Sequence, residues 1–270
     1  MSYSIQYTSD LHLDGSVAFE TLLKPVANDL ALCGDIGDPF SEIYERFLRW
    51  CSRSWSRIFL ISGNHEYFNS KGTMKDTEQR IRSLCLNTNI VFLQKEAFFL
   101  AEHKIVIIGL TLWSQPDLRR WDQLSSGFIG DPGSRGEYKA IFKPDEYTGA
   151  LRPLHPSDIT QIHLEHREYL KKALNSTWGI VPDGWSVIVL THHMPTYLLN
   201  QNEFRDHPLN SCYASNLDAL IKPPIKAWIC GHSHSPASLL FGCYVFVTLN
   251  PYGYKGQAKE KYSSTASIRF

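Results

Sequence analysis

The sequence predicts an α/β fold. Five short, β-branched apolar runs each end abruptly in polar residues, and the stretches between several of them carry helical periodicity. The chain has 270 residues and is 43% hydrophobic, enough to fill a sizeable core and to exclude disorder of the whole.

The first run, Ser4-Ile5-Gln6-Tyr7-Thr8, alternates like a strand and leads into Ser9-Asp10-Leu11-His12. Leu30-Ala31-Leu32-Cys33 leads into Gly34-Asp35. Residues 40–54 then place Ile43, Phe47 and Trp50 at helical spacing. Ile58-Phe59-Leu60-Ile61 leads into Ser62-Gly63-Asn64-His65, and residues 73–86 read as the next helix. Residues 156–174 form the strongest helix, with Ser157 as its expected N-cap and Ile159, Ile162, Tyr169, Leu170, Ala173 and Leu174 as one apolar stripe. Val187-Ile188-Val189-Leu190 then leads into Thr191-His192-His193, and Ala227-Trp228-Ile229-Cys230 into Gly231-His232-Ser233-His234. Runs at 91–93, 104–110, 244–249 and 266–270 have fewer helices between them and suggest a second, more mixed sheet.

Residues 113–156 do not follow this grammar. They are rich in Pro, Gly and charge, lack periodicity, and hold Trp113, Trp121, Phe128, Tyr138, Phe142 and Tyr147. A segment this long and aperiodic is disordered or a functional loop system, and its aromatics favour an ordered excursion over the surface. The chain is otherwise read as one domain, 1–270, with 113–156 as a loop-rich insertion and candidate cap.

Composition narrows the function. Lys+Arg and Asp+Glu both number 27, and zero net charge argues against a chain that mainly grips nucleic-acid phosphates or an anionic membrane. No apolar run approaches the roughly 20 residues of a membrane span. The start has no basic region followed by an apolar stretch, so no secretory signal is expected. The six scattered cysteines form no C-x-x-C pair, which points to reduced thiols in a cytoplasmic protein.

Five strand ends each deliver Asp, Asn or His into the loop that follows. Ligands of open α/β sheets bind beyond the carboxyl ends of strands, so Asp10, His12, Asp35, Asn64, His192, His232 and His234 can converge, with His65 and Asp38 close by in sequence. Imidazoles mixed with carboxylates and one amide oxygen suit Mn, Fe, Zn, Ni or Co better than Ca or Mg. Seven donors exceed one tetrahedral ion, and two ions sharing a carboxylate is the economical solution.

At these residues a resemblance is plain. Asp10-Leu11-His12, Gly34-Asp35-Ile36-Gly37-Asp38, Gly63-Asn64-His65-Glu66, His192 and Gly231-His232-Ser233-His234 resemble, in order, the D-x-H, G-D-x-x-D, G-N-H-[DE], H and G-H-x-H blocks of the calcineurin-like metallophosphoesterases. Gly109-Leu110-Thr111-Leu112-Trp113, Thr191-His192-His193-Met194-Pro195, Ala214-Ser215-Asn216-Leu217 and Asn250-Pro251-Tyr252-Gly253-Tyr254 are similar to a small, mostly uncharacterised bacterial and phage-type group of that superfamily, in which Arg usually stands where Tyr252 does here.

The resemblance implies a four-layer α/β/β/α sandwich of two mixed sheets flanked by helices. It implies two divalent transition-metal ions, manganese first, with Asp10, His12 and His234 on one, Asn64, His192 and His232 on the other, and Asp35 bridging. A hydroxide shared by the ions would attack phosphorus. His65 would give the leaving oxygen a proton or a hydrogen bond, and Asp38 would orient His65 or merely cap the next helix. Two dications against Asp10, Asp35 and one hydroxide would leave the cleft about one charge positive, which favours a small phosphomonoester or phosphodiester. By strand alternation His193 is expected to point the opposite way from His192 and to stand behind the ligands rather than bind metal, and His163 and His166 to sit at a core edge or in solvent. The rival readings are a nuclease of the same fold and a non-catalytic protein-binding scaffold. Nothing in the sequence sets the oligomeric state.

Overall fold

The computed structural model describes residues 2–15, 17–68, 72–117, 119, 136–175, 177–201, 204, 207, 209–254, 257 and 261–270. Two sheets stack face to face between two layers of helices. The first sheet runs β13-β1-β2-β3-β4, from β1 (Ser4–Thr8), β2 (Asp29–Cys33), β3 (Arg57–Ile61), β4 (Ile90–Phe92) and β13 (Ser267–Arg269). The second runs β11-β12-β10-β9-β6-β5, from β5 (Glu96–Leu100), β6 (Ile105–Leu110), β9 (Ser186–Thr191), β10 (Ile225–Cys230), β11 (Ala237–Phe241) and β12 (Val245–Leu249). Edge strands β13, β5 and β11 pair antiparallel, and the other pairings in these sheets are parallel.

The apolar runs are continuous because both faces of each sheet are covered. Along β2, Ala31 and Cys33 face the inter-sheet core with Phe59, Ile61, Ile107, Ile188 and Ile229, while Leu30 and Leu32 face the outer core with Phe47, Leu48 and Ile81. That outer layer is α2 (Glu42–Ser54) and α3 (Met74–Cys85), which follow the short α1 (Phe19–Leu22). Leu170 and Ala173 of α5 (Pro156–Ala173) cover the other side, against Val106, Ile108, Val187 and Val189. The insertion supplies α4 (Glu137–Ala140) and the hairpin β7 (Phe142–Pro144)–β8 (Leu151–Pro153). Ile141 and Leu154 pack there with Tyr67, Trp113 and Ile159, so this part of the excursion has a small core of its own. Trp121, Phe128, Arg120 and Arg135 lie outside the described residues.

Three expectations change. β4 and β13 join the first sheet, whereas the His192 and His232 strands, β9 and β10, belong to the second. Strand partners are chosen by long-range packing, which a run of apolar residues does not record. The N-cap of α5 is His155, whose side chain accepts the Ser157 amide, with Asp158 completing the box. His163 and His166 lie on α5 itself and are buried, at 1% and 3% exposure. Burial pushes the His166 imidazole down to about 3, and Lys95 and His163 act in the same direction.

Candidate metal centre

Parallel strands of one sheet share a carboxyl end, and here both sheets present theirs to the same cleft. β1, β2 and β3 lead into Asp10/His12, Asp35 and Asn64/His65; β9 and β10 lead into His192 and His232/His234. Two glycines permit the approach. Gly34 has φ +84°, and a Cβ there would lie 2.4 Å from the Gly63 nitrogen; a Cβ on Gly63 would strike Asp35 Oδ1. Among the described residues, eleven non-glycines have positive φ, and five of them are Asp10, His12, Asp35, His232 and His234. Left-handed backbone costs such residues on the order of 1–3 kcal/mol each, so its concentration on the donor set marks the cleft as functional.

Among the described residues, three overlapping groups of donors occur, each with its own atoms within 4.8 Å of one another: Asp10/His12/His234, His12/Asp35/His65 and Asp35/His192/His232. Asp35 Oδ2 is 3.4 Å from His192 Nε2, 3.8 Å from His12 Nε2 and 3.9 Å from His65 Nε2. Asp10 Oδ1 is 3.4 Å from His234 Nε2, and His12 Nε2 meets His234 Nε2 at 2.9 Å. Asn64 Oδ1 is 2.9 Å from His192 Nε2. The structure thus brings all seven proposed ligands, and His65, into one cleft.

The donors fit divalent metal. His192 Nδ1 faces the Cys33 carbonyl at 2.9 Å and His234 Nδ1 faces Gln257 Oε1 at 3.0 Å. Each acceptor holds a proton on Nδ1 and leaves Nε2 to offer its lone pair. His232 Nε2 is buried with no hydrogen-bond partner among the described residues, an orphan of the kind a metal would satisfy. Burial opposes charge on Asp10 and Asp35, yet facing imidazoles hold both carboxyls below the usual range. Burial pushes His12 down to about 4 and also lowers His65. For His192 the burial effect is outweighed by Asp35 and Asp10, which raise it to about 10.

A calcineurin-like phosphoesterase family profile matches residues 4–236. The chain belongs to that family. This calcineurin-like phosphoesterase is therefore a metal-dependent hydrolase of phosphoesters. It is 29% identical over 274 residues to the uncharacterized protein L509 of Acanthamoeba polyphaga mimivirus, covering 93% of this chain and 91% of that protein. Among solved structures it resembles phosphopantetheinyl hydrolase (PptH) from Mycobacterium tuberculosis, with a TM-score of 0.71, 13% identity, and coverage of 100% and 96% of the two chains. A dimetal phosphatase from Danio rerio aligns with a TM-score of 0.48 at 10% identity, over 92% of this chain and 86% of that one.

Around its donors, the phosphoesterase places residues that sequence reasoning missed. The Tyr254 hydroxyl meets His65 Nε2 at 2.9 Å, and its ring lies 4.3 Å from that of His12 and 4.5 Å from that of His234. Tyr252, whose place Arg usually takes in the bacterial and phage-type group, instead packs on Tyr262 with ring centroids 5.0 Å apart. Asp38 Oδ1 accepts the Phe40 amide at 2.9 Å, ahead of the α2 cap at Ser41. Glu66 gathers the amides of Asp35, Ile36 and Gly63 at 2.7–2.9 Å and so ties two donor loops together. His193 faces the site after all: its ring lies 4.2 Å from that of His232 and 5.3 Å from that of Trp113. β9 ends at Thr191, so strand alternation no longer governs residue 193. From the insertion, Glu137 reaches Asn64. Burial pushes its carboxyl up to about 7, and Asp35 adds to the rise.

Proposed function

We propose that this phosphoesterase hydrolyses a small phosphomonoester or phosphodiester on two transition-metal ions, manganese first among Mn, Fe, Zn, Ni and Co. The observation that carries the reading is Asp35 Oδ2, which sits within 3.4–3.9 Å of imidazole nitrogens from three loops. Asp10, His12 and His234 would hold one ion, Asn64, His192 and His232 the other, and Asp35 would join both. When bound, the ions supply charge neutralisation and bring the pKa of water towards neutrality.

The chain's own residues do the rest. His65 Nε2 faces the cleft from its more open side, where a leaving oxygen can take a proton or a hydrogen bond. Before a leaving oxygen takes its place, the Tyr254 hydroxyl meets that nitrogen, and Phe68 stacks on the His65 ring at 4.2 Å, so the imidazole is oriented from two sides. Asp38 Oδ1 accepts the Phe40 amide, the helix-start role weighed for it, and in this reading Tyr254 and Phe68 orient His65. The whole chain is read as one domain with 113–156 beside the centre as a partial lid, and six free thiols agree with a cytoplasmic setting.

Purified protein should carry close to two ions. Chelation should abolish turnover on a panel of nitrophenyl mono- and diesters, nucleotides and cyclic nucleotides, and manganese should restore it best. Full activity in metal-free protein would end the proposal.

A further inference from the structure

His192 and His234 are each oriented by a fixed acceptor at Nδ1, and Asn64 poses a harder problem. An amide presents oxygen at one end and nitrogen at the other, the two ends are nearly the same size, and only the oxygen can bind a metal. What selects the end comes from the 113–156 insertion. Glu137, first residue of α4 and 7% exposed, accepts a hydrogen bond from Asn64 Nδ2 through Oε1 at 2.9 Å. Oε1 is the acceptor of that bond, so the atom facing it is the amide nitrogen. Asn64 Oδ1 is thereby turned towards His192 Nε2, 2.9 Å away.

A buried carboxylate is costly unless something compensates it, and Glu137 Oε2 is buried with no partner among the described residues. Its position beside a centre of cation donors supplies a reason for keeping it. α4 is also held firmly: Ile141 donates to the Glu137 carbonyl at 3.1 Å and packs with Tyr67 and Trp113, next in space to the centre.

We infer that Glu137 is a positioning residue of the metal centre: its carboxylate locks the Asn64 amide with oxygen towards the second ion, making the insertion part of that half-site. The inference rests on the dinuclear reading above. Its consequence is selective. Removing Glu137 should weaken the ion held by Asn64, His192 and His232 and leave the ion of Asp10, His12 and His234 in place.

The test is a calorimetric titration of metal-depleted protein with Mn(II), backed by visible absorption of the Co(II) form. Glu137→Met fills the same space but accepts no strong hydrogen bond; Glu137→Ala serves as a second truncation, and thermal melts check that each variant folds. Affinity for the second ion should fall about 10- to 100-fold, the usual cost of losing a residue that orients a ligand, with the first ion unchanged. The same truncations are then made on Asn64→Asp, whose two oxygens are equivalent and need no orientation. On that background they should not weaken the second ion, since they also remove a facing carboxylate.

Weakening with Asn64 and none with Asn64→Asp supports the role. Unchanged affinity, equal weakening of both ions, or equal weakening on both backgrounds overturns it. A wild-type chain that binds only one ion overturns the dinuclear reading and this inference together, whereas two ions indifferent to Glu137 overturn this inference alone.

Discussion

His12 and His234 face the mouth of the cleft with Asp10 buried behind them, whereas Asn64, His192 and His232 are all buried. The His12 and His234 side chains are 10% and 15% exposed and His65 beside them 28%, against none for His192. The open half is lined by Tyr254 and Gln257, which come from the loop after β12; the sealed half is walled by His193, Trp113 and Glu137. In the open half, water can stand in for a missing partner and a substrate can enter. The sealed half is buried, and His232 Nε2, His193 Nδ1 and Glu137 Oε2 already lack a hydrogen-bond partner among the described residues, so errors there are not repaired by solvent. The two halves should therefore fail differently under mutation.

Asp35 is the one donor that belongs to both, and changing it is the strongest test of the division. Oδ1 of Asp35 accepts the His65 amide at 2.8 Å, so Asp35→Asn would keep its oxygen there and turn a nitrogen, which cannot bind metal, towards the imidazoles. Both ions should be lost together, turnover should fall to background, and metal analysis should show neither half favoured. Retention of one ion at full strength would break the shared role and assign Asp35 to a single half.

His65 comes next. It stands at the mouth, so His65→Ala should keep both ions yet lose about 10²–10⁴ in turnover, the range of a general acid. The loss should shrink with nitrophenolate as leaving group, which needs little help from a proton. Equal losses for good and poor leaving groups would contradict the acid role. Loss of an ion would instead make His65 a ligand, a possibility its place in a cluster with His12 and Asp35 makes worth measuring.

The donors and the residues around them were not equally legible in the sequence. Asp10, His12, Asp35, Asn64, His192, His232 and His234 each follow a strand, and strand-plus-loop grammar places such residues at one end of a sheet whatever the pairing order. That is why these seven converge in the structure even though the division of strands between the sheets came out differently from expectation. The surrounding residues follow no such grammar. Glu137 lies in an aperiodic insertion, Tyr254 five residues past the end of β12, and His193 just where alternation stops applying. Their positions follow from long-range packing, such as Trp113 against Tyr67 and Gly253 against Asp10. Edge strands β5 and β11 escaped for a related reason: several of their residues are half-exposed, so the apolar signal is diluted.

The smallest expected effect lies at the mouth and concerns the Tyr254 hydroxyl. Its backbone is pinned: the Gly253 amide donates to the Asp10 carbonyl at 2.9 Å, with Gly253 in the left-handed region at φ +78°, and the Tyr254 amide donates to Gln257 Oε1 at 2.7 Å. The ring rests on His12 and His234, while the residue as a whole is 42% exposed. Tyr254→Phe keeps ring and backbone and deletes only the bond to His65. A hydrogen bond of this kind is worth about 0.5–1.5 kcal/mol, so turnover should fall roughly two- to tenfold, with both ions retained. Tyr254→Ala removes the ring as well and should loosen His12 and His234, weakening the first ion but not the second. If Tyr254→Phe cost a hundredfold, or if either change weakened the ion held by Asn64, His192 and His232, the mouth would not be the adjustable side, and the division between the halves would have to be abandoned.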